Sequence, residues 1–333
     1  MYTKFYNLKE EPFNLTPDPH FLYLGDSHRG ALARLVYAVR ERKGFMVMTG
    51  EVGTGKTTLL HALLRHLDEN TKTVFIFNPL VGAKGFFKFV SIDLGIQAKD
   101  GTKGECLLEI YKFLIESYGR GRNVVLIIDE AHDLTPSLLE EIRVFSNFET
   151  AKSKLIQIIL VGQPELNVTL NLPQFRPLKQ RISLWFYINP LDRNETSEYI
   201  RSRLYRAGME NFCFTEKALE EIFRYSKGIP RVINILCGNS LTIGYAKDEK
   251  KIDEGIIKNA IGDLEACQRR PPELAETPGP IDQVRPSPLV AEVKEPDIEG
   301  PEKRETEGLR LFALILLLSA LVISGILLLY LES

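Results

Sequence analysis

The segment Gly50-Glu51-Val52-Gly53-Thr54-Gly55-Lys56-Thr57-Thr58 satisfies G-x-x-x-x-G-K-[ST]. Glycines at this spacing let successive backbone N–H groups close around phosphate oxygens. A helix opening at the last glycine adds partial positive charge. Lys56 supplies a point charge for β- and γ-phosphates, and Thr57 a hydroxyl for Mg²⁺. An apolar run (Phe45–Thr49) precedes the motif and a helical pattern (Lys56–Leu67) follows it, the strand–loop–helix context the motif requires.

Such a site needs a second, acidic half at the end of a buried strand. Val124–Ile128 followed by Asp129-Glu130 supplies it. Asp129 is placed to orient the Mg²⁺ shell, and Glu130 to polarise an attacking water as general base. Gln163, after the run Ile156–Val161, is a candidate γ-phosphate sensor. Arg181, with Arg176 as second choice, is a candidate arginine finger directed at a neighbouring subunit's nucleotide. Arg231, in Gly228-Ile229-Pro230-Arg231, opens a helix and is placed to reach back to the γ-phosphate. Asp129 to His132 also spells a helicase tetrad. The second α/β domain and the arginine-rich late motif of such helicases are not readable after residue 190, so His132 reads as a local helix-start residue.

The elements that must position these residues follow from periodicity. Thr73–Asn78 and Leu184–Ile188 join the three runs above as buried strands. Helix patterns at Gly104–Tyr118 and Pro136–Phe148 lie between them. Alternation of this kind predicts an α/β fold, a P-loop core whose parallel sheet lies between helices. After Pro190 the strands stop. Asp192–Ala207, Thr215–Ser226, Pro230–Ala246 and Asp253–Leu264 read as a small all-α lid. Asp192 with Glu195 fits a capping box, and Thr215 is a plausible N-cap.

The chain has 333 residues, with 42 basic against 44 acidic side chains and a formal charge of −2. No global basic field is present to coat nucleic acid. The four cysteines and five histidines are scattered without zinc spacing; the cysteines read as reduced thiols. The N-terminus lacks the basic region and apolar run of a secretory signal. Residues 267–308 hold eight prolines and many charges and read as an extended, disordered linker. Leu311–Leu331 carries no charge; as a helix it spans about 31 Å, close to the hydrocarbon core. Lys303, Arg304 and Arg310 precede it, so the positive-inside bias puts the bulk of the chain in the cytoplasm. The expected layout is a nucleotide-binding domain at 1–190, with an N-terminal segment at 1–44. A lid at 191–266, the linker and a transmembrane helix at 309–331 follow.

With these motifs in hand, the sequence resembles the AAA+ ATPases of the general secretion pathway protein A (ExeA) type. The resemblance runs over about residues 1–265: Phe5-Tyr6, Pro12-Phe13, Pro17-Asp18-Pro19, Phe21-Leu22-Tyr23, His28, the phosphate loop, Leu126 to His132, Val161 to Leu166, Gln180 to Ile182 and Gly228 to Asn234. It implies an AAA+ core with a helical lid, ATP with Mg²⁺, and homo-oligomerisation into a ring or partial ring. It also implies an N-terminal segment at the adenine edge. Members of this type continue past the membrane helix into an extracytoplasmic peptidoglycan-binding domain. Two residues follow the span here, which reads as a short form lacking that domain. The expected function is a bacterial inner-membrane ATPase, its ATPase domain cytoplasmic, that couples ATP to assembly of an envelope complex for secretion, pilus or exopolysaccharide export. The alternatives are a DNA-handling ATPase of transposition-regulator type, disfavoured by the span, and a non-hydrolysing nucleotide switch or scaffold.

Overall fold

Strands buried on both faces read as near-continuous apolar runs. Phe45–Gly50 (β1), Asn123–Ile128 (β3) and Gln157–Gly162 (β4) are buried at all six positions each. With Thr71–Ile76 (β2) and Ile182–Ile188 (β5) they form a five-stranded parallel sheet of order β2-β3-β4-β1-β5. This computed structural model describes residues 2–16, 18–77, 82–96 and 102–269.

Period-two alternation divides each strand between two cores. Val47, Leu126 and Leu160 face one cluster, shared with Ala83–Leu94, Lys103–Gly119 and Pro136–Phe145; Met48, Ile127 and Ile159 face the other, shared with Asp26–Arg40 and Lys56–His66. In chain order the helices are Tyr2–Phe5 (α1), Asp26–Arg40 (α2), Lys56–His66 (α3), Ala83–Leu94 (α4), Lys103–Gly119 (α5) and Pro136–Phe145 (α6). Pro164–Leu170 (α7) and Arg176–Lys179 (α8) connect β4 to β5. Burying one such aliphatic side chain is worth about 1.5–3 kcal/mol, so the sheet is a stiff platform for the loops at its carboxyl edge.

All five expected strands are present. β2 starts at Thr71, because Thr71 already pairs with Asn123, and β5 starts at Ile182, opposite Phe45. Two helices that periodicity does not announce, α2 and α4, begin after Gly25 and Gly82. Glycine carries no side-chain oxygen, so the usual start signal is missing there.

A third core belongs to Arg193–Arg206 (α9), Glu216–Ser226 (α10), Pro230–Ala246 (α11) and Glu254–Arg269 (α12). The capping box of Asp192 and Glu195 and the Thr215 cap are formed. Helix α12 runs through Arg269, past the expected linker start at 267. Residues 270–308 and the predicted span at 309–331 lie outside the described residues. Among the described residues no helix is long and apolar enough to cross a membrane. Cys106, Cys213 and Cys237 are free and buried, and burial pushes the Cys213 thiol up to about 12.

The N-terminal segment packs on this helical bundle. Tyr6, Leu8, Phe13 and Phe21 enter its core. Arg203 of α9, 7% exposed, fastens the segment: its guanidinium donates to the carbonyls of Pro12 and Asn14 and to Tyr199 Oη, 4.8 Å above the Phe21 ring. A buried cation is tolerable because neutral acceptors satisfy it.

A tight backbone crossing marks where the chain passes from the sheet to the bundle. Leu191 N donates to Gly228 O at 2.9 Å. Gly228 has φ +76°, and a Cβ there would lie 1.8 Å from Leu191 O. We expect Gly228→Ala to destabilise the protein by more than about 2 kcal/mol, a fall in Tm of at least about 4 °C. Calorimetry of the full chain checks this; an unchanged Tm would contradict the crossing's role.

Candidate functional site

The phosphate-loop sequence emerges from β1 at Gly50 and enters α3 at Lys56. Thr54 is fully buried, its hydroxyl donating to Glu51 O at 2.9 Å. Gly53 has φ +80°, and a Cβ there would stand 2.6 Å from Arg231 Cβ. Glycine at 53 therefore serves two ends, the left-handed turn and the seating of the lid. Arg231 N, on the first turn of α11, donates to Gly53 O at 3.3 Å.

Lys56 is 7% exposed. Its ammonium donates to Gly50 O at 2.8 Å and Glu51 O at 3.0 Å. Burial pushes its pKa down, while the carboxylates of Glu130, Asp129, Glu51 and Glu165 oppose that shift. Thr57 Oγ1 donates to Asp129 Oδ2 at 2.7 Å. These are two hard oxygen donors, one of them on a 3% exposed aspartate, and they fit a magnesium ion. Among the described residues no group of three or more His, Cys, Asp or Glu side chains could hold a metal alone. That donor set suits an ion that retains waters and takes phosphate oxygens.

Glu130 follows Asp129 with φ +50°. A non-glycine residue in this region carries about 1–2 kcal/mol of strain. The turn aims the side chain at a cleft of about 340 Å³. Val52 through Thr58, Glu130, Gln163 and Arg231 line that cleft. Asn14, Leu15, Thr16 and Tyr23 form another stretch of its wall, with Tyr199, Arg203 and Asn234 of the bundle. The expected site residues thus converge, with two exceptions. Arg176 is exposed on α8, and Arg181 precedes β5 at the amino edge of the sheet. Ile182 pairs with Phe45, five residues before Gly50, so Arg181, one residue earlier, sits about 20 Å along the sheet from the phosphate loop.

Sequence reasoning missed several residues here. His28 of α2, named above only within the resemblance, donates from Nε2 to Thr54 O at 2.8 Å and props the loop from beneath. His132, read as a local helix-start residue, is the middle residue of a short 3-10 turn (Ala131–Asp133), and its ring also touches Gln163, with 2.8 Å between Nε2 atoms. Asn167 of α7 donates to Thr49 Oγ1 and accepts from Trp185 Nε1, each at 3.0 Å. That bridge joins the strand before the phosphate loop to the strand after Arg181. Only the tertiary fold brings these partners together.

Burial pushes His28 below its ordinary 6.5, against the opposing hydrogen bond to Thr54 and the charge of Glu195. The folded state then binds fewer protons than the unfolded state below that value, so stability falls as pH drops through it. His28→Gln keeps an amide N–H for Thr54 and removes the titration. We expect the wild-type Tm to fall more steeply than the variant's between about pH 7.5 and pH 5. Parallel curves would contradict the assignment.

Comparison with known proteins gives the same reading. Residues 39–170 match a family model described as AAA domain. General secretion pathway protein A of Aeromonas hydrophila is 37% identical over 261 residues, covering 78% of this chain and 48% of that protein. The chain thus spans about half the length of that curated relative. Among solved structures, Cdc6p of Pyrobaculum aerophilum aligns with TM-score 0.58 at 16% identity, over 78% of this chain and 74% of that one. The Aeropyrum pernix ORC2 protein aligns with TM-score 0.57 at 16% identity, over 78% and 72%. At such identities the structural likeness speaks for the fold alone. The phosphate loop, the acidic strand end, the sheet order and these matches together make the chain an AAA+ P-loop ATPase of the general secretion pathway protein A type.

Proposed function

We propose that the chain is a membrane-tethered AAA+ ATPase that couples ATP binding and hydrolysis to assembly of an envelope complex. The observation that carries the catalytic part is the convergence of Lys56, the Thr57–Asp129 pair, Glu130, Gln163 and Arg231 on one cleft. Loop N–H groups and Lys56 would hold the β- and γ-phosphates. Thr57 and Asp129 would hold Mg²⁺, which supplies charge neutralisation to the phosphates. Glu130 accepts a proton from water as its oxygen attacks the γ-phosphorus; the bond to the β–γ bridging oxygen breaks, and ADP and phosphate leave. Gln163 would sense the γ-phosphate, and Arg231 would carry that state to the lid.

Arg181 and Arg176 would serve a neighbouring subunit. Arg181 is too far along the sheet to reach its own chain's cleft, so a transition-state charge from it must act across an interface. This favours a homo-oligomer, ring or partial ring. The uncharged run Leu311–Leu331, within the expected span at 309–331, would anchor the assembly in the inner membrane, with the catalytic part on the cytoplasmic side and the proline-rich segment as tether. The clients would be secretion, pilus or polysaccharide-export proteins.

The test is co-purification of the full chain from native membranes as Glu130→Gln and as Lys56→Ala. Glu130→Gln should lower kcat by about 10²- to 10⁴-fold while retaining ATP and enriching envelope-assembly proteins. Lys56→Ala should bind nucleotide poorly and enrich none of them. Identical partners in both samples would contradict an ATP-gated motor. DNA or transposition proteins in the Glu130→Gln sample would replace it with the DNA-handling alternative.

A further inference from the structure

His132 stands between the two groups that the hydrolysis scheme keeps separate. Its Nε2 lies 2.8 Å from Gln163 Nε2. A ring nitrogen facing an amide N–H₂ group accepts and carries no proton, which leaves the proton on Nδ1. Nδ1 in turn lies 3.4 Å from Glu130 Oε2. Both of those atoms are buried, and neither has an aligned hydrogen-bond partner. Two buried polar orphans facing one another at that separation need only a small rotation of the Glu130 carboxylate to pair, and leaving both unmade is costly. The next group is Asp133 Oδ1, 3.7 Å from Nε2.

The backbone is built for this approach. Gly162, at the end of β4, comes so close to the turn that a Cβ there would stand 3.2 Å from His132 N. The left-handed turn at Glu130 folds the following residues back over β4. The imidazole, with its side chain 15% exposed, therefore has a defined place between the acidic strand end and the start of α7.

We propose that His132 is a positioning residue that fastens Glu130 to Gln163, donating from Nδ1 to the carboxylate and accepting the Gln163 amide at Nε2. It rests on the reading of Glu130 as general base and Gln163 as γ-phosphate sensor. Rotation of the Gln163 amide toward a γ-phosphate changes what His132 Nε2 meets, and the carboxylate at Nδ1 answers. The proton-accepting group is then set when the third phosphate is in place. Groups that orient a reacting group from behind typically contribute about 10- to 100-fold.

The experiment is a double-mutant cycle on ATP hydrolysis by the full chain, with His132→Ala, Gln163→Ala and the pair, beside Glu130→Gln. Thermal melts and binding of a fluorescent ADP confirm folding and nucleotide affinity. His132→Ala should lower kcat by about 10- to 100-fold with KM nearly unchanged. Gln163→Ala should add little in that background, since the coupled pair is already broken. His132→Asn keeps an N–H near the Nδ1 position without reaching Gln163. It should run faster than His132→Ala, and it carries the cycle if the alanine variant does not fold. Wild-type turnover in His132→Ala, losses that multiply in the double variant, or an Asn variant no faster than Ala would overturn the proposal. If Glu130→Gln kept wild-type turnover, the base assignment itself would fall and the proposal with it. A dead Glu130→Gln beside an unimpaired His132→Ala would sink the proposal alone.

Discussion

The seating of Arg231 on Gly53 is the contact on which the rest of the molecule depends. The first N–H groups of a helix have no partner within it. Pro230 opens α11 and has no N–H to satisfy, so the next donor, Arg231 N, is the one that finds the carbonyl of Gly53. Helix α3 starts three residues further along the same loop. Two helix amino termini, one from the sheet domain and one from the bundle, thus converge on one turn. Their partial positive charges add there, beside Lys56. A polyanion placed in that turn interacts with both halves at once, and no separate device is needed to couple them.

Everything else keeps this junction in register. The Leu191–Gly228 crossing fixes where the bundle leaves the sheet. Glu195, at the start of α9, accepts from Asp26 N at 2.6 Å and so ties α2 to the bundle. Helix α2 in turn carries His28 under the loop. The N-terminal segment, held by Arg203, closes the wall of the cleft next to the bundle. Its aromatic residues belong to the bundle's core, so this wall is built as part of the bundle. On the far side, Asn167 connects Thr49 to Trp185, the only tryptophan in the sequence. That bridge ties the strand before the phosphate loop to the strand that follows Arg181.

Much of this is legible in the sequence because the responsible forces are local. The phosphate loop is a contiguous backbone device, and its neighbours are apolar runs that can only be buried strands. Asp129 is readable because the phosphate loop earlier in the chain calls for an acidic residue at the end of a buried strand. The caps at Asp192 and Thr215 are readable from side chains three residues apart. What stays hidden depends on residues distant in sequence. His28 meets Thr54 and Tyr6 meets Glu249 only after folding. The start of α2 is silent because Glu195, from a distant helix, supplies the oxygen there that a capping side chain would otherwise give. His132 looks ordinary because a histidine after a strand is ordinary; the proximity of Gln163 at 2.8 Å makes it otherwise.

The central claim is that the phosphate loop and the first turn of α11 respond to nucleotide as one unit. Amide hydrogen exchange on the full chain tests it most directly. Peptides covering residues 50–58 and 228–234 are followed without nucleotide, with ADP, and with ATP and Mg²⁺ in the Glu130→Gln background. Both peptides should gain protection together, and most strongly with ATP. Protection of 50–58 with no change at 228–234 would contradict the claim, because the lid would then be a bystander to the phosphates.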